Sequence, residues 1–305
     1  MKLSAPQQKR LALSNSANLG ALPGDVAILR CIFEHRFLRR EQLSLLLGRH
    51  AKRLHRRLIK LERMGYLSAI RLPQQKHIYA LGAFGIATLV EHGLSQPDLL
   101  TQRQRTRELK ELFLRHEMMI VDVHVAMSLA TRGRGVRFVH WKEGRELYDS
   151  VVAVDSRGSK RLPIRPDAFF GLEDSQRGQP FNIAHFALEA DRSTTTHSRF
   201  EDKIRAYWHY IEQGLHTKKF GVNGFRILTV TLTDARAINL CALTAAAVPE
   251  RARKYFLFTP LERMTSETET MLRDPTCYSA RATTQADLVP LVPKSNGLQK
   301  ETTVV

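Results

Sequence analysis

The chain has 305 residues, of which 43% are hydrophobic, and 47 Lys and Arg against 30 Asp and Glu give a formal charge of +17. That length predicts two compact units with tails. No apolar run reaches the roughly 18 residues of a membrane span, and the opening MKLSAPQQKR lacks the apolar core of a secretory signal. Cys31, Cys241 and Cys277 are far apart, without metal-type spacing, so a reduced cytoplasmic location is expected and no membrane is implied.

The excess charge is concentrated at the start: residues 1 to 100 hold 16 Lys and Arg against 6 Asp and Glu, the other 205 hold 31 against 24. A basic, patterned segment of this kind suits an anionic polymer, with double-stranded DNA the expected partner. Residues 1–22 are polar and without period and are read as a flexible arm. From Asp25 the run DVAILRCIFEHRFL has helical spacing, and EQLSLLLG is a short apolar helix stopped by Gly48, which suits a C′ position. A third helix is expected from about His50 to Arg63. At about 100° per residue, Arg49, Lys52, Arg53, Arg56, Arg57, Lys60 and Arg63 fall within an arc of roughly 140°. Leu54, Leu58 and Leu61 lie opposite, so one face packs and the other is available to phosphates. YLSAIRL and HIYALG, separated by PQQK, form a hairpin signal with Pro73 at the turn and Lys76 at its tip. Helix, short helix, basic helix and hairpin over residues 23–95 are the plan of a winged helix-turn-helix, in which the third helix enters the major groove and the hairpin touches flanking backbone.

GLSQPDLLTQRQ reads as a connector, followed by a helix from about Arg103 to Ala130 with Leu109, Leu112, Phe113, His116, Ile120, Val123 and Met127 along one face. His116-Glu117 is not a zinc-protease helix, because Ile120 stands where the second His is required. Strands are expected at VRFVHW, at LPIRPDAFFGLE (162–173) and at NIAHFALEADRS, the last two as a hairpin. Ser198-x-x-Glu201 then has a capping-box pattern at the head of an amphipathic helix with Ile204, Tyr207, Trp208 and Ile211 on one face. FRILTVTLTD is a buried strand, ARAINLCALTAAAV a helix, KYFLFTPLE a last strand, and 283–305 a polar, disordered tail.

Helix, three strands, helix and strand, in a unit spanning 103–265, resemble the α-β-β-β-α-β core of the PD-(D/E)xK restriction-endonuclease-like nucleases, giving a mixed α+β chain overall. Alternation along a strand points Glu189 and Asp191 to the same side. With Asp167 from the neighbouring strand they would make an oxygen-rich site for Mg²⁺ or Mn²⁺. Such a metal activates water and offsets phosphate charge during hydrolysis. That superfamily ends its strand motif in Lys; here Asp191 holds the position, and Lys203, one turn into the next helix, is the residue that could reach back.

RPDA, then EADRSTTT, then KIRAYWHY, preceded by a winged helix, resembles the replication-relaxation family of plasmids and mobile elements over roughly Asp25 to Leu261. The resemblance implies a role in plasmid replication, relaxation or mobilisation, with replication or conjugation proteins as candidate partners. Three readings stay open at this point. The nuclease-like domain is an accessory or regulatory scaffold beside a DNA-binding domain; or it is a metal-dependent endonuclease or nickase using Asp167, Glu189, Asp191 and Lys203; or it is a protein adaptor whose carboxylates pair with Arg165, Arg192 or Arg199.

Overall fold

The computed structural model describes residues 22–71, 76–107, 111–133, 135–155, 158–178, 182–193, 195–266, 268, 270–274, 276–281 and 288–292. Residues 1–21 of the expected arm (1–22), the PQQK turn from Pro73 to Gln75 and most of the 283–305 tail lie outside them. The chain divides into two compact units, Met1–Glu117 and Met118–Val305.

In the first unit the elements are α1 (Pro23–His35), β1 (Phe37–Arg39), α2 (Arg40–Leu47), α3 (Ala51–Arg63), β2 (Leu67–Ile70), β3 (Ile78–Leu81), α4 (Ala83–Glu91) and α5 (Gln96–Arg107). Pro23 opens α1 where its missing N–H costs nothing, and the Asp25 carboxylate accepts the Leu22 N–H at 3.0 Å. Gly48 closes α2 in the left-handed region, φ 59°, in keeping with its C′ spacing. The strands form an antiparallel sheet in the order β1-β3-β2, with Leu67 opposite Leu81 and Ile70 opposite Ile78. Ile28, Leu29 and Ile32 of α1, Leu43 of α2, Leu54 and Leu58 of α3, Phe37 and Tyr79 are all buried. Gly82 must be glycine: a Cβ there would stand 2.2 Å from the Gly65 carbonyl oxygen. The connector GLSQPDLLTQRQ is mostly the helix α5, because its turn signals at Ser95 and Pro97 sit at a helix start, where both are favoured.

The second unit begins within α6 (Glu111–Ala130) and continues with β4 (Val136–Lys142), β5 (Asp149–Asp155), β6 (Gly158–Ile164), β7 (Ala168–Asp174), β8 (Ile183–Asp191), α7 (His197–Glu212), α8 (Leu215–Phe220) and β9 (Arg226–Thr231). It ends with α9 (Asp234–Ala247), α10 (Glu250–Arg253), β10 (Phe256–Pro260), α11 (Leu261–Ser266), β11 (Cys277–Ser279) and β12 (Leu288–Val289). Among the described residues, seven strands form one mixed sheet in the order β12-β11-β10-β9-β8-β7-β4. β8, β9 and β10 run parallel, and β7 pairs antiparallel with both β8 and β4. Alternate side chains feed two cores. Phe169, Ala187, Ile227, Phe256 and Phe258 pack with α7 and α9 residues such as Phe200, Ile204, Ala237 and Leu240. Phe170, Phe186, Leu188, Leu228 and Val230 pack with Met119, Val123 and Met127 of α6. Of the face expected on α6, Phe113 is exposed; the Leu109 and Leu112 side chains lie outside what is described.

Four expectations are corrected. The strand expected over 162–173 is two: Leu162–Ile164 end β6, Arg165-Pro166-Asp167 break the ladder, and β7 starts at Ala168. β5 and β6 form a separate antiparallel ribbon inserted before β7. Ser198 does not cap α7: the N-cap is Thr196, two residues earlier, and it makes no side-chain cap bond. Within the tail expected to be disordered, Leu288–Val289 pair with Cys277–Tyr278. Among the described residues no helix is long and apolar enough to cross a membrane.

Candidate functional site

β8 is a central strand that enters apolar and ends in acids. Ala187, Glu189 and Asp191 share the face beneath α7 and α9, and both acids are buried, at 3% and 6% exposure. The two sides of β8 are bound differently, by antiparallel β7 and parallel β9, and its carboxyl end opens where α7 and α9 begin. Asp167, in the break before β7, brackets this end: its N–H donates to the Leu188 carbonyl at 2.9 Å and its Oδ2 accepts the Ala190 N–H at 2.8 Å.

Lys203 and Tyr207 are one turn apart on α7, and both reach Glu189. The Lys203 ammonium donates to Oε2, and the Tyr207 hydroxyl donates to Oε1 at 2.5 Å. Burial opposes the charge on Lys203, but Glu189, with Asp167 and Asp191 behind it, more than offsets that and raises its pKa. The Tyr207 hydroxyl is pushed well up, first by burial and then by the Glu189 carboxylate, so it stays a hydrogen-bond donor. Asp191 is bound elsewhere. Arg236, on the first turn of α9, donates from Nε to Oδ2 at 2.8 Å and from Nη2 to the Thr195 carbonyl at 2.9 Å. The Ser193 N–H also turns back onto Asp191 Oδ2 at 3.2 Å, which puts Ser193 at φ 63°, rare for a residue with a side chain.

Asp167, Glu189, Asp191 and Lys203 therefore meet at one end of β8, with Glu189 paired to Lys203 and Asp191 to Arg236 rather than as an open cage. Among the described residues no three His, Cys, Asp or Glu side chains form a group that could hold a metal ion. Asp191 faces a guanidinium, so it does not fit as a ligand. Glu189 is held by Lys203 and Tyr207, and Asp167 Oδ2 accepts the Ala190 N–H, so Mg²⁺ or Mn²⁺ at Asp167 and Glu189 would have to displace the Lys203 ammonium from the carboxylate and complete its shell with water and substrate oxygens. Tyr207 and Arg236 were not singled out from sequence as site residues. Tyr207 carries a signal, four residues after Lys203; Arg236 carries none, because its partner is 45 residues away.

The basic residues of the first unit sort into two sets. Lys52, Arg53, Arg56, Lys60 and Arg63 are exposed along α3, opposite the buried Leu54, Leu58 and Leu61. Arg57 is half-buried and grips the buried Asp25 with both Nε and Nη2; this hydrogen bonding raises its pKa despite burial. Arg49 donates to the Gly24 carbonyl at 2.9 Å. Gly48, Arg49, His50, Arg53, Leu54 and Arg57 line a shallow surface pocket at the start of α3. Lys76 is exposed, 3.8 Å from Glu41. Glu117 is paired with Arg36 at 2.5 Å.

No curated protein and no solved structure matches this chain. A family model described as Replication-relaxation matches residues 29–224, which span α3, Asp167, Glu189, Asp191, Lys203 and Tyr207. The chain therefore belongs to the replication-relaxation family, whose membership implies a role in plasmid replication or relaxation.

Proposed function

We propose that the protein binds double-stranded DNA through its first unit and acts in plasmid or mobile-element replication, relaxation or mobilisation. The second unit is a nuclease-like domain serving as an accessory or regulatory scaffold. The observation that carries DNA binding is the row of exposed cations, Lys52, Arg53, Arg56, Lys60 and Arg63, on a helix whose other face is core. The order α1, β1, α2, α3, β2, β3 supports the winged helix-turn-helix reading, in which α3 would be the reading helix. Support for the scaffold role comes from β8: both Glu189 oxygens are taken by Lys203 and Tyr207, and Asp191 is held by Arg236. Such a network fixes α7 and α9 to the sheet.

A second reading is favoured by one observation: Lys203 does reach the carboxylate that a PD-(D/E)xK nuclease would use. In that reading Asp167 and Glu189 hold Mg²⁺ or Mn²⁺, which would supply Lewis-acid activation of water at a phosphodiester. Lys203 would hold the carboxylate in place and stabilise charge on the phosphate, and Tyr207 would orient Glu189. Asp191 has a structural part only.

Incubating the full-length chain with supercoiled plasmid and Mg²⁺ or Mn²⁺ separates the readings. The scaffold reading requires DNA binding with no nicking in either metal. Nicking that vanishes in both Glu189→Gln and Asp167→Asn, each still folded, establishes the second reading. A wild type that binds no duplex overturns both.

A further inference from the structure

The ribbon β5–β6 is a part of the second unit that the proposed function leaves unexplained. Its strands pair over seven residues each, Asp149 opposite Ile164 through Asp155 opposite Gly158. Its inner face, Val151, Ala153, Leu162 and Ile164, is buried in the core with Phe200, Ile204 and Tyr207 of α7. Lys160 fastens the edge by an ion pair to Asp202 at 2.7 Å. The described strands of the ribbon are thus packed against α7.

Its outer face holds Ser150, Val152 and Val154 on one strand, opposite Pro163, Arg161 and Ser159 on the other. Val154 is 67% exposed and Val152 39%, while Arg161, Ser159 and Pro163 are exposed as well. None of these outward positions is acidic. Just past β6, exposed Arg165 lies over the Tyr148 ring at 5.6 Å, which adds a second cation at the ribbon's base. Small branched apolar side chains beside Arg and Ser, without a carboxylate, match the edge of a base pair better than a protein core. Valine methyls can meet the thymine methyl, and a guanidinium pairs in bidentate fashion with guanine O6 and N7. The dimensions agree: seven residues extend about 23 Å, and a two-stranded ribbon enters a major groove roughly 12 Å wide. From Ile164 the chain passes through only Arg165 and Pro166 to Asp167, so the ribbon flanks the carboxylate site.

We propose that the outward face of β5–β6 is a second DNA contact of this protein, seated in the major groove of duplex DNA and separate from α3. The proposal rests on the DNA-binding reading given above. The full-length chain is used to select duplexes from a random-sequence pool, followed by guanine N7 methylation interference, which reports the major groove. Arg161→Ala and Val154→Asp, both at exposed positions, are compared with wild type and with the α3 variant Arg53→Ala/Arg56→Ala/Lys60→Ala, after thermal melting shows that each is folded. The expected result is two sets of sensitive guanines. The ribbon variants lose one set and bind roughly tenfold more weakly, while the α3 variant loses the other set. If wild type selects duplexes and only the α3 variant changes the pattern, DNA binding stands and the ribbon proposal falls. Ribbon variants that keep wild-type affinity and pattern but lose self-association in sedimentation make the face a protein interface, which also overturns it. If wild type selects nothing, both proposals fall together.

Discussion

Lys203 donates its ammonium to Glu189, a carboxylate 4% exposed at the end of a central strand, and Tyr207 completes the same acceptor from the next turn of the helix. A buried acid with its cation removed is an uncompensated charge. Lys203→Met is therefore expected to destabilise the second unit by about 3 kcal/mol. The double variant Lys203→Met/Glu189→Gln should recover much of that loss, a coupling that urea denaturation of all four chains would measure. If the single variants simply add, the pair is not an energetic unit.

Arg57 and Arg53 sit one turn apart on the same helix and should behave in opposite ways. Arg57→Met strands Asp25, whose side chain is 3% exposed, so it should cost about 3 kcal/mol of stability. Arg53→Ala should leave the melting temperature unchanged and weaken duplex binding. With one phosphate fewer neutralised, the slope of log K against log salt should become shallower by about 0.9. Equal effects of the two variants on stability would show that the sorting of these cations is wrong.

Acid should weaken the second unit through His185. Burial, with His140 on the same rung across Gly171 adding to it, lowers its pKa from 6.5 to about 4. The folded chain then refuses a proton that the unfolded chain accepts below 6.5. Stability is full above that value, falls as pH drops from 6.5 towards about 4, and levels off below. The loss from this group is roughly 2 kcal/mol, less than the shift alone implies at about 1.4 kcal/mol per unit, because the ring is partly solvated. His185→Gln should flatten the urea midpoint over that window; an unchanged slope would assign the acid sensitivity to other groups.

Arg236→Met leaves Asp191 buried against the Ser193 N–H alone. It is expected to loosen the connection between β8 and α7, seen as faster amide exchange at Ser193 and its neighbours, together with a stability loss of about 3 kcal/mol. No change in exchange would mean that the turn holds Asp191 without the guanidinium.

Much of this architecture is legible in the residues themselves. The arc of cations on α3 against Leu54, Leu58 and Leu61 is a local periodicity, and local periodicity survives folding. The apolar runs at β8, β9 and β10 are equally plain, since strands buried on both faces need no alternation. The common face of Glu189 and Asp191 follows from strand geometry, and Lys203 lies within reach of it because α7 starts soon after β8. Other features depend on neighbours distant in sequence. Nothing near Asp191 announces Arg236, and nothing near Arg57 announces that Asp25 will occupy it, 32 residues back. The β5–β6 ribbon was obscured for another reason. Leu162-Pro163-Ile164 runs into the next apolar stretch, and only the three-dimensional break at Asp167 separates two strands that read as one.

The bond from the Ala190 amide to Asp167 has a consequence for how this site can change. Ala190 lies between the two acids, so the residue that fixes the frame of β8 is read out by the third acid of the group. Slipping β8 by one residue would turn Glu189 and Asp191 into the opposite, apolar layer and carry the amide away from its acceptor. Alignment of the sheet and assembly of the charges are one event. Any variant that removes the Asp167 carboxylate tests the strand's alignment as well as its chemistry, and Asp167→Asn, which keeps an acceptor oxygen, is the substitution that tells the two apart.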